Sequence, residues 1–162
     1  MKLTSFTDYS LRVLIYLAAQ PQRRATIAEI AQAFAIKENH LTKVVHFLGQ
    51  NGWVATVRGK GGGLSLALPA TQIPVGAVVR QTEGGDMPAE CFDAESEAGH
   101  GHCAIARICR LRAVLAEAAQ AFHSVLDRYT VADLVHNAPA IQAMLALPIS
   151  RRPGATDPVT AG

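Results

Sequence analysis

Residues 26–68, TIAEIAQAFAIKENHLTKVVHFLGQNGWVATVRGKGGGLSLAL, pass from a helical period to a strand period. Thr26 and Glu29 open the stretch at the spacing of a capping box, in which the threonine hydroxyl takes the N3 amide proton and the glutamate reaches back to the threonine amide. A short helix to about Phe34 follows, with Ile27, Ile30 and Ala31 inward. After the turn around Ala35-Ile36, a second helix from about Lys37 to Gln50 carries Leu41, Val44, Val45 and Leu48 on one face and stops at Asn51-Gly52. Two short helices across a tight turn suit a helix-turn-helix, although many helical hairpins look the same. The residues beyond them favour the first reading. Trp53, Ala55 and Val57 alternate with Val54, Thr56 and Arg58, and Leu64, Leu66 and Leu68 alternate with Ser65 and Ala67, which is a period of two on both sides of a turn. The connector from Arg58 to Gly63 is four glycines and two cations. Glycine permits positive φ and close backbone approach, so this tip suits a phosphate backbone; a hairpin tip without a ligand is the plain alternative. A nucleotide-phosphate loop is disfavoured, because neither Gly-Lys-Ser/Thr nor a strand-to-helix context is present.

Working outward, an apolar-periodic helix runs from about Ser5 to Ala19, with Leu11, Leu14, Ile15 and Ala18 at helical spacing, and Gln20-Pro21-Gln22 ends it. Residues 71–85 read as one short helix closed by Gly84-Gly85. From Asp86 to His102 the chain is acidic and without period, hence a loop. From about Ala104 to Arg128 the helical signal is the strongest in the chain: Ile108, Leu111, Leu115, Ala118, Phe122 and Val125 are spaced alternately three and four apart. Such a seam packs on its own domain or pairs with a second copy, and a homodimer is preferred because paired DNA half-sites need a two-fold protein. Short helices around Val131–Val135 and Ile141–Leu145 follow, and the tail from Pro148 is expected to be disordered. The expected class is therefore mainly α with a small β-hairpin wing: a winged helix-turn-helix over 1–80, a loop over 81–103, a dimerisation helix with C-terminal helices over 104–147, and a tail over 148–162.

The chain has 162 residues, 49% hydrophobic and 17% charged, enough for a buried core and unlike a disordered segment. The longest apolar run, Val13 to Ala19, is too short to span a bilayer, and the opening residues show no secretory pattern, so a cytoplasmic protein without a membrane partner is expected. Charge is divided unevenly. Residues 1–80 hold nine Lys/Arg against three Asp/Glu, net +6, whereas the remainder holds six against ten, net −4. A basic front half suits a polyanion such as double-stranded promoter DNA, or is simply a solvated basic surface. In a winged helix the helix from Lys37 onward meets the major groove: Asn39 suits adenine, Lys43 suits guanine or phosphate, and His40 suits either. Each is an ordinary exposed polar residue when taken singly. With Lys37, Arg58 and Lys60 they make a footprint.

All three cysteines, Cys91, Cys103 and Cys109, fall in one segment with no Cys-x-x-Cys among them. An odd number of reduced thiols argues against a disulfide framework and for metal binding or reactivity, and thiolates are soft ligands for iron–sulfur clusters, zinc or cuprous copper. Cys109 falls in the first turns of the long helix, whose positive end favours the thiolate, with Arg107 and Arg110 beside it. Three thiolates leave a fourth position for His100, His102, Asp93, Glu95, Glu97 or the distant Asp8. A structural zinc site ordinarily has tighter knuckles. A Cys–His enzyme lacks a third orienting group, so no enzymatic activity is expected.

Five segments carry a family resemblance: the opening from Met1 to Tyr9; Leu41-x-Lys43-Val44-Val45-His46-x-Leu48; Arg58 to Leu64; His102-Cys103-x5-Cys109-Arg110-Leu111; and Tyr129-Thr130-x-Ala132-Asp133-Leu134. Over residues 1 to about 135 the chain resembles the nitric-oxide-sensing, NsrR-type branch of the bacterial iron–sulfur winged-helix family that also includes IscR. The resemblance implies a homodimeric repressor of nitric-oxide detoxification genes, with nitric oxide as effector. It also implies one iron–sulfur cluster per subunit on the three cysteines, of 4Fe–4S type in preference to 2Fe–2S. In proteins of this branch the fourth ligand can be an aspartate near the N-terminus of the partner subunit, and Asp8 stands at that position. Asp8 also suits a plain structural role, at the first helical turn and four residues before Arg12. The IscR-like pattern uses a histidine three residues after the last cysteine, where this chain has Arg112. One departure matters: the eleven residues between Cys91 and Cys103 exceed the usual gap and bring in His100 and His102. The rival expectation is a winged-helix regulator with a structural zinc or with thiols that sense oxidants.

Overall fold

The first helix, α1 (Ser5–Ala19), starts where the Thr4 hydroxyl accepts the Thr7 amide at 3.2 Å, and one side of it is almost wholly buried through Val13, Leu14 and Leu17. The computed structural model describes residues 2–84 and 108–146. Cys91, His100, His102, Cys103 and the tail from Pro148 lie outside the described residues. Helices α2 (Ile27–Phe34) and α3 (Glu38–Gln50) pack on α1. The capping box at the start of α2 forms as read: the Glu29 amide donates to the Thr26 hydroxyl at 3.2 Å, and the Thr26 amide donates to the Glu29 carboxylate at 2.7 Å. The turn between the two helices is made by Ala35 in the left-handed region, φ 53°. That conformation is costly for a residue with a Cβ. The burial of the next residue, Ile36, and its amide bond to the Ala31 carbonyl at 3.0 Å hold it in place.

Strands β1 (Val54–Val57) and β2 (Gly63–Leu66) form the antiparallel wing, Val54 opposite Leu66 and Val57 opposite Gly63. Here the alternation seen in the sequence is only partly realised. Trp53 and Val54 are both buried, whereas Val57 is 41% and Leu68 40% exposed. The Trp53 amide bonds the Leu48 carbonyl at 3.0 Å, so Trp53 belongs to the closure of α3 and the strand period begins one residue later. Toward its tip the hairpin passes beyond the core. Gly62 and Gly63 are required inside the chain itself: a Cβ on Gly62 would lie 2.3 Å from the Val57 carbonyl oxygen, and one on Gly63 2.8 Å from that of Ala25.

The helix expected over 71–85 is interrupted. A 3-10 turn, Ala70–Gln72, precedes Ile73 in extended backbone, and α4 runs only from Val75 to Thr82. Pro74 is the reason, since it lacks an amide hydrogen and disfavours a helical conformation in the residue before it. The extended residues are used: the Val75 amide donates to the Tyr129 carbonyl and the Val131 amide to the Ile73 carbonyl, both at 2.9 Å. These bonds tie the end of α5 (Arg110–Leu126) and the start of α6 (Val131–Leu134) to the N-terminal helices. A second capping box, Thr130 with Asp133, opens α6, and α7 (Ala138–Ala146) leans back on α1 and α2. Cys109 is corrected by this boundary: it stands at the N-cap of α5 in extended backbone, before the first turn rather than within it. Among the described residues no helix is long and apolar enough to cross a membrane.

The junction of α4 with α5 is tight. Arg80 grips Asp127 with both guanidinium arms, at 2.9 and 2.7 Å, and Gly76 lies directly beneath, where a Cβ would come 2.0 Å from the Asp127 carboxylate. Replacing Gly76 by Ala is therefore expected to lower stability by about 1–3 kcal/mol despite the better helix propensity of alanine. Urea denaturation followed by circular dichroism checks this, and an unchanged or raised midpoint contradicts it.

Candidate nucleic-acid interface and cluster-binding residues

Helix α3 presents two opposite faces. Leu41, Val44, Val45 and Leu48 are buried against the core, and Lys37, Asn39, His40 and Lys43 are exposed along the first two turns on the other side. Lys37 is the N-cap and makes no side-chain cap bond. Thr42 turns its hydroxyl back to the Glu38 carbonyl at 3.0 Å, so the outward polar atoms on this face come from its neighbours. His40 is held at one side: its ring stacks on Tyr9 of α1, with centroids 6.1 Å apart and planes 23° from parallel. Arg58 and Lys60 are exposed at the wing tip, one on each side of Gly59 at φ 95°, with Gly61 at φ 80° following Lys60. The structure thus arranges the six basic or polar residues singled out in the sequence on two exposed edges, four on α3 and two on the wing.

Of the residues expected to hold a metal, Asp8 and Cys109 are described. Asp8 is half-exposed in the first turn of α1 and accepts both arms of Arg12, at 3.0 and 2.9 Å. The Arg12 guanidinium in turn lies 5.7 Å from the centre of the Phe34 ring. Cys109 is a free, half-exposed thiol at the N-cap of α5. No group of three or more His, Cys, Asp or Glu able to hold a metal ion occurs among the described residues, which exclude Cys91, Cys103, His100 and His102.

Sequence reasoning missed the contact that ties the last described residues of α4 to the start of α1. The Glu83 carboxylate accepts the Thr4 amide at 2.9 Å, the Thr4 hydroxyl at 3.0 Å and the Thr7 hydroxyl, which also lies 2.8 Å from the Thr82 hydroxyl. Burial opposes ionisation of Glu83, yet the bonds from Thr7 and Thr4 outweigh it and hold the carboxyl below the usual glutamate range. The partners are more than seventy residues apart in the chain, and no spacing rule joins them.

A helix-turn-helix with a β-hairpin wing on a mainly helical core defines the class: this is a winged-helix, DNA-binding transcription regulator and not an enzyme. The chain belongs to the Rrf2 family of iron-dependent transcriptional regulators, whose model matches residues 3–137. It is 47% identical over 148 residues to the HTH-type transcriptional regulator NsrR of Bacillus subtilis, covering 91% of this chain and 99% of that one. The HTH-type transcriptional regulator NsrR of Geobacillus kaustophilus is 45% identical over 147 residues, 90% of this chain and 97% of the relative. Among solved structures, CymR, the global cysteine regulator of B. subtilis, superposes with a TM-score of 0.65 at 27% identity over 83% of this chain and 95% of its own. IscR of T. potens has a TM-score of 0.68 and covers 88% of this chain and 91% of its own; at 24% identity it speaks for the fold.

The Glu83 contact gives a pH dependence with a definite sign. A carboxyl that ionises more readily in the native than in the unfolded chain contributes stability that is complete above the ordinary glutamate range and is lost as pH falls through its depressed native value. Glu83→Gln is expected to be less stable than the parent at neutral pH, with the gap closing on acidification. Urea midpoints measured across a pH series test this, and a gap independent of pH contradicts it.

Proposed function

We propose that the chain is a cytoplasmic, homodimeric repressor that releases its promoters when an iron–sulfur cluster reacts with nitric oxide. Residues 1–80 act as the DNA reader, 81–103 as the cluster-binding loop, 104–147 as the dimerisation unit and 148–162 as a tail. Lys37, Asn39, His40 and Lys43 face the major groove, and Arg58 and Lys60 meet the backbone beside it. Cys91, Cys103 and Cys109 hold the cluster, in 4Fe–4S form in preference to 2Fe–2S, and Asp8 of the partner subunit supplies the fourth ligand ahead of His100 or His102.

The donor chemistry fits. A half-exposed, unpaired thiol at the N-cap of α5 offers soft iron a sulfur donor that is open on one side. Asp8 is accessible, because its pair with Arg12 is 41% and 44% exposed and an ion pair in that setting is worth about 0–1 kcal/mol. A carboxylate so weakly committed exchanges Arg12 for another cation at little cost. When bound, the cluster supplies iron that reacts with nitric oxide and that holds a carboxylate less firmly than a thiolate.

The observation that carries the reading is the adjacency of Asp8 and Tyr9. Asp8 is the proposed fourth ligand and is held only by its exposed pair with Arg12, and the next residue, Tyr9, stacks on His40 of α3. Movement of the first turn of α1 therefore reaches the DNA-facing surface through one ring contact. Glu83 fastens the same turn to the end of α4, from which the chain enters the cysteine segment. The dimer reading rests on α5, where Leu111, Val114 and Val125 are between 45% and 61% exposed and only Ala119 is buried; Ile108, just before the helix, is 85% exposed. An apolar face of that kind is what a second copy would cover.

Iron, acid-labile sulfide and zinc analysis of anaerobically purified protein, with visible absorbance before and after nitric oxide, is the direct experiment. The expected result is a coloured protein whose spectrum nitric oxide changes. Cys103→Ala and Cys109→Ala are each expected to lose iron, sulfide and sequence-specific DNA binding. A colourless, zinc-loaded protein indifferent to nitric oxide would favour the thiol or zinc reading, and a cysteine variant that still represses and still responds to nitric oxide would sink the cluster mechanism.

A further inference from the structure

Two adjacent arginines, Arg23 and Arg24, lead into α2, and the structure treats them in opposite ways. Arg23 is used internally: its guanidinium donates to Glu29 at 3.0 Å, to the Tyr16 hydroxyl at 3.2 Å and to Gln20 at 2.6 Å. Arg24 has no carboxylate partner among the described residues, and the one hydrogen bond its guanidinium makes to them runs to the Gly61 carbonyl of the wing tip, at 3.2 Å. The backbone explains why they meet. Ala25 pairs with Leu64 in both directions, Ala25 N–H to Leu64 O at 3.0 Å and Leu64 N–H to Ala25 O at 2.7 Å, and so adds a third edge to the two-stranded wing. Gly63 permits this approach, since a Cβ there would crowd both Ala25 and the Arg24 side chain.

The pairing delivers Arg24 to the same tip as Arg58 and Lys60, from a position more than thirty residues earlier. Between the turn before α2 and the wing tip lies an open depression of about 540 Å³ lined by Gln22, Arg23, Arg24, Gly61, Gly62 and Ser65. Among the described residues no carboxylate lines it, and the one cation there without an acidic partner is Arg24. A carbonyl occupies part of the guanidinium fork, leaving further N–H donors for a second acceptor. A basic, carboxylate-free depression beside a glycine-rich tip is suited to a phosphate of the DNA backbone.

We propose that Arg24 is a third phosphate-contacting cation of the wing, positioned by its bond to Gly61, and that the interface extends from the hairpin tip onto the turn before α2. The inference rests on the reading of α3 and the wing as the DNA-binding surface. Each phosphate neutralised adds about 0.9 to the slope of log binding constant against log salt concentration. A residue that only supports the fold leaves that slope alone. The test is titration of the full-length chain, purified anaerobically, with a random-sequence DNA duplex over a range of salt concentrations. Arg24→Gln, Arg24→Lys, Arg23→Gln, Arg58→Gln and Lys60→Gln are compared with the parent, each checked by thermal melting. Arg24→Gln is expected to bind several-fold more weakly with a slope shallower by about 0.9, Arg24→Lys to keep the slope, and Arg23→Gln to lower the melting temperature without changing the slope. An unchanged slope in Arg24→Gln overturns the proposal, even if affinity falls. If Arg58→Gln and Lys60→Gln do shift the slope in that event, only Arg24 has been misassigned; if they too leave it unchanged, the wing is not the DNA-binding surface.

Discussion

Helix α1 buries Val13, Leu14 and Leu17 against α3 on one side and α4 and α6 on the other, and neither half of the chain has a core without it. Each such side chain contributes about 1.5–3 kcal/mol on removal from water, so the sum over this one helix is large compared with the net stability of a small domain. Two polar residues share that buried side, Thr7 and Ser10, and both are satisfied: Ser10 donates to the Phe6 carbonyl at 2.8 Å, and Thr7 bonds to Glu83. A helix held this firmly cannot tilt at one end without disturbing α3. The proposed sensing residue and the proposed DNA-facing residue therefore belong on it and beside it.

The surface left to DNA is economical. The wing has two short strands, and its register is set by features that face inward: the Trp53 amide bonded to the end of α3, and Ala25 bonded across to Leu64. The tip is then free to carry glycines and cations, since nothing there is needed for the core. Two of those glycines nevertheless answer to the protein itself, because Gly62 and Gly63 sit against backbone carbonyls. The glycine-rich motif serves the geometry of the wing first, and any close approach to phosphate is built on that geometry.

Much of the architecture was readable in the residues because the signals were local. The Thr26–Glu29 capping box, the stop at Asn51-Gly52 and the apolar face of α3 each depend on neighbours within a turn or two of helix, and each appears as read, whereas the buried side of α1 keeps Leu14 and Ala18 but takes Val13 and Leu17 in place of the half-buried Leu11 and Ile15. The misreadings arose where a distant partner overrode a local pattern. Residues 71–85 look like one helix by their apolar spacing, but Pro74 breaks it and the freed backbone pairs with Tyr129 and Val131. Cys109 was placed inside α5 by the same periodicity and stands instead at its cap. Of the candidate ligand set only Asp8 and Cys109 fall among the described residues, while the six residues proposed to face DNA are all described and all exposed.

By itself the amino-acid order determined the class of fold, the polarity of the front half and the types of ligand the cysteines favour, since these follow from short-range periodicity, charge and donor chemistry. Only the tertiary structure decided which cations are free. Arg23 and Arg24 are indistinguishable in the sequence, and the folded chain assigns one to Glu29 and the other to the wing. It likewise decided that Glu83 would clamp the first turn of α1 and that Tyr9 would touch His40 of α3. The physical reason is common to all three: hydrogen bonds and ring contacts form between groups that packing brings within a few ångström, and that packing is arranged by a core assembled from residues far apart in the chain.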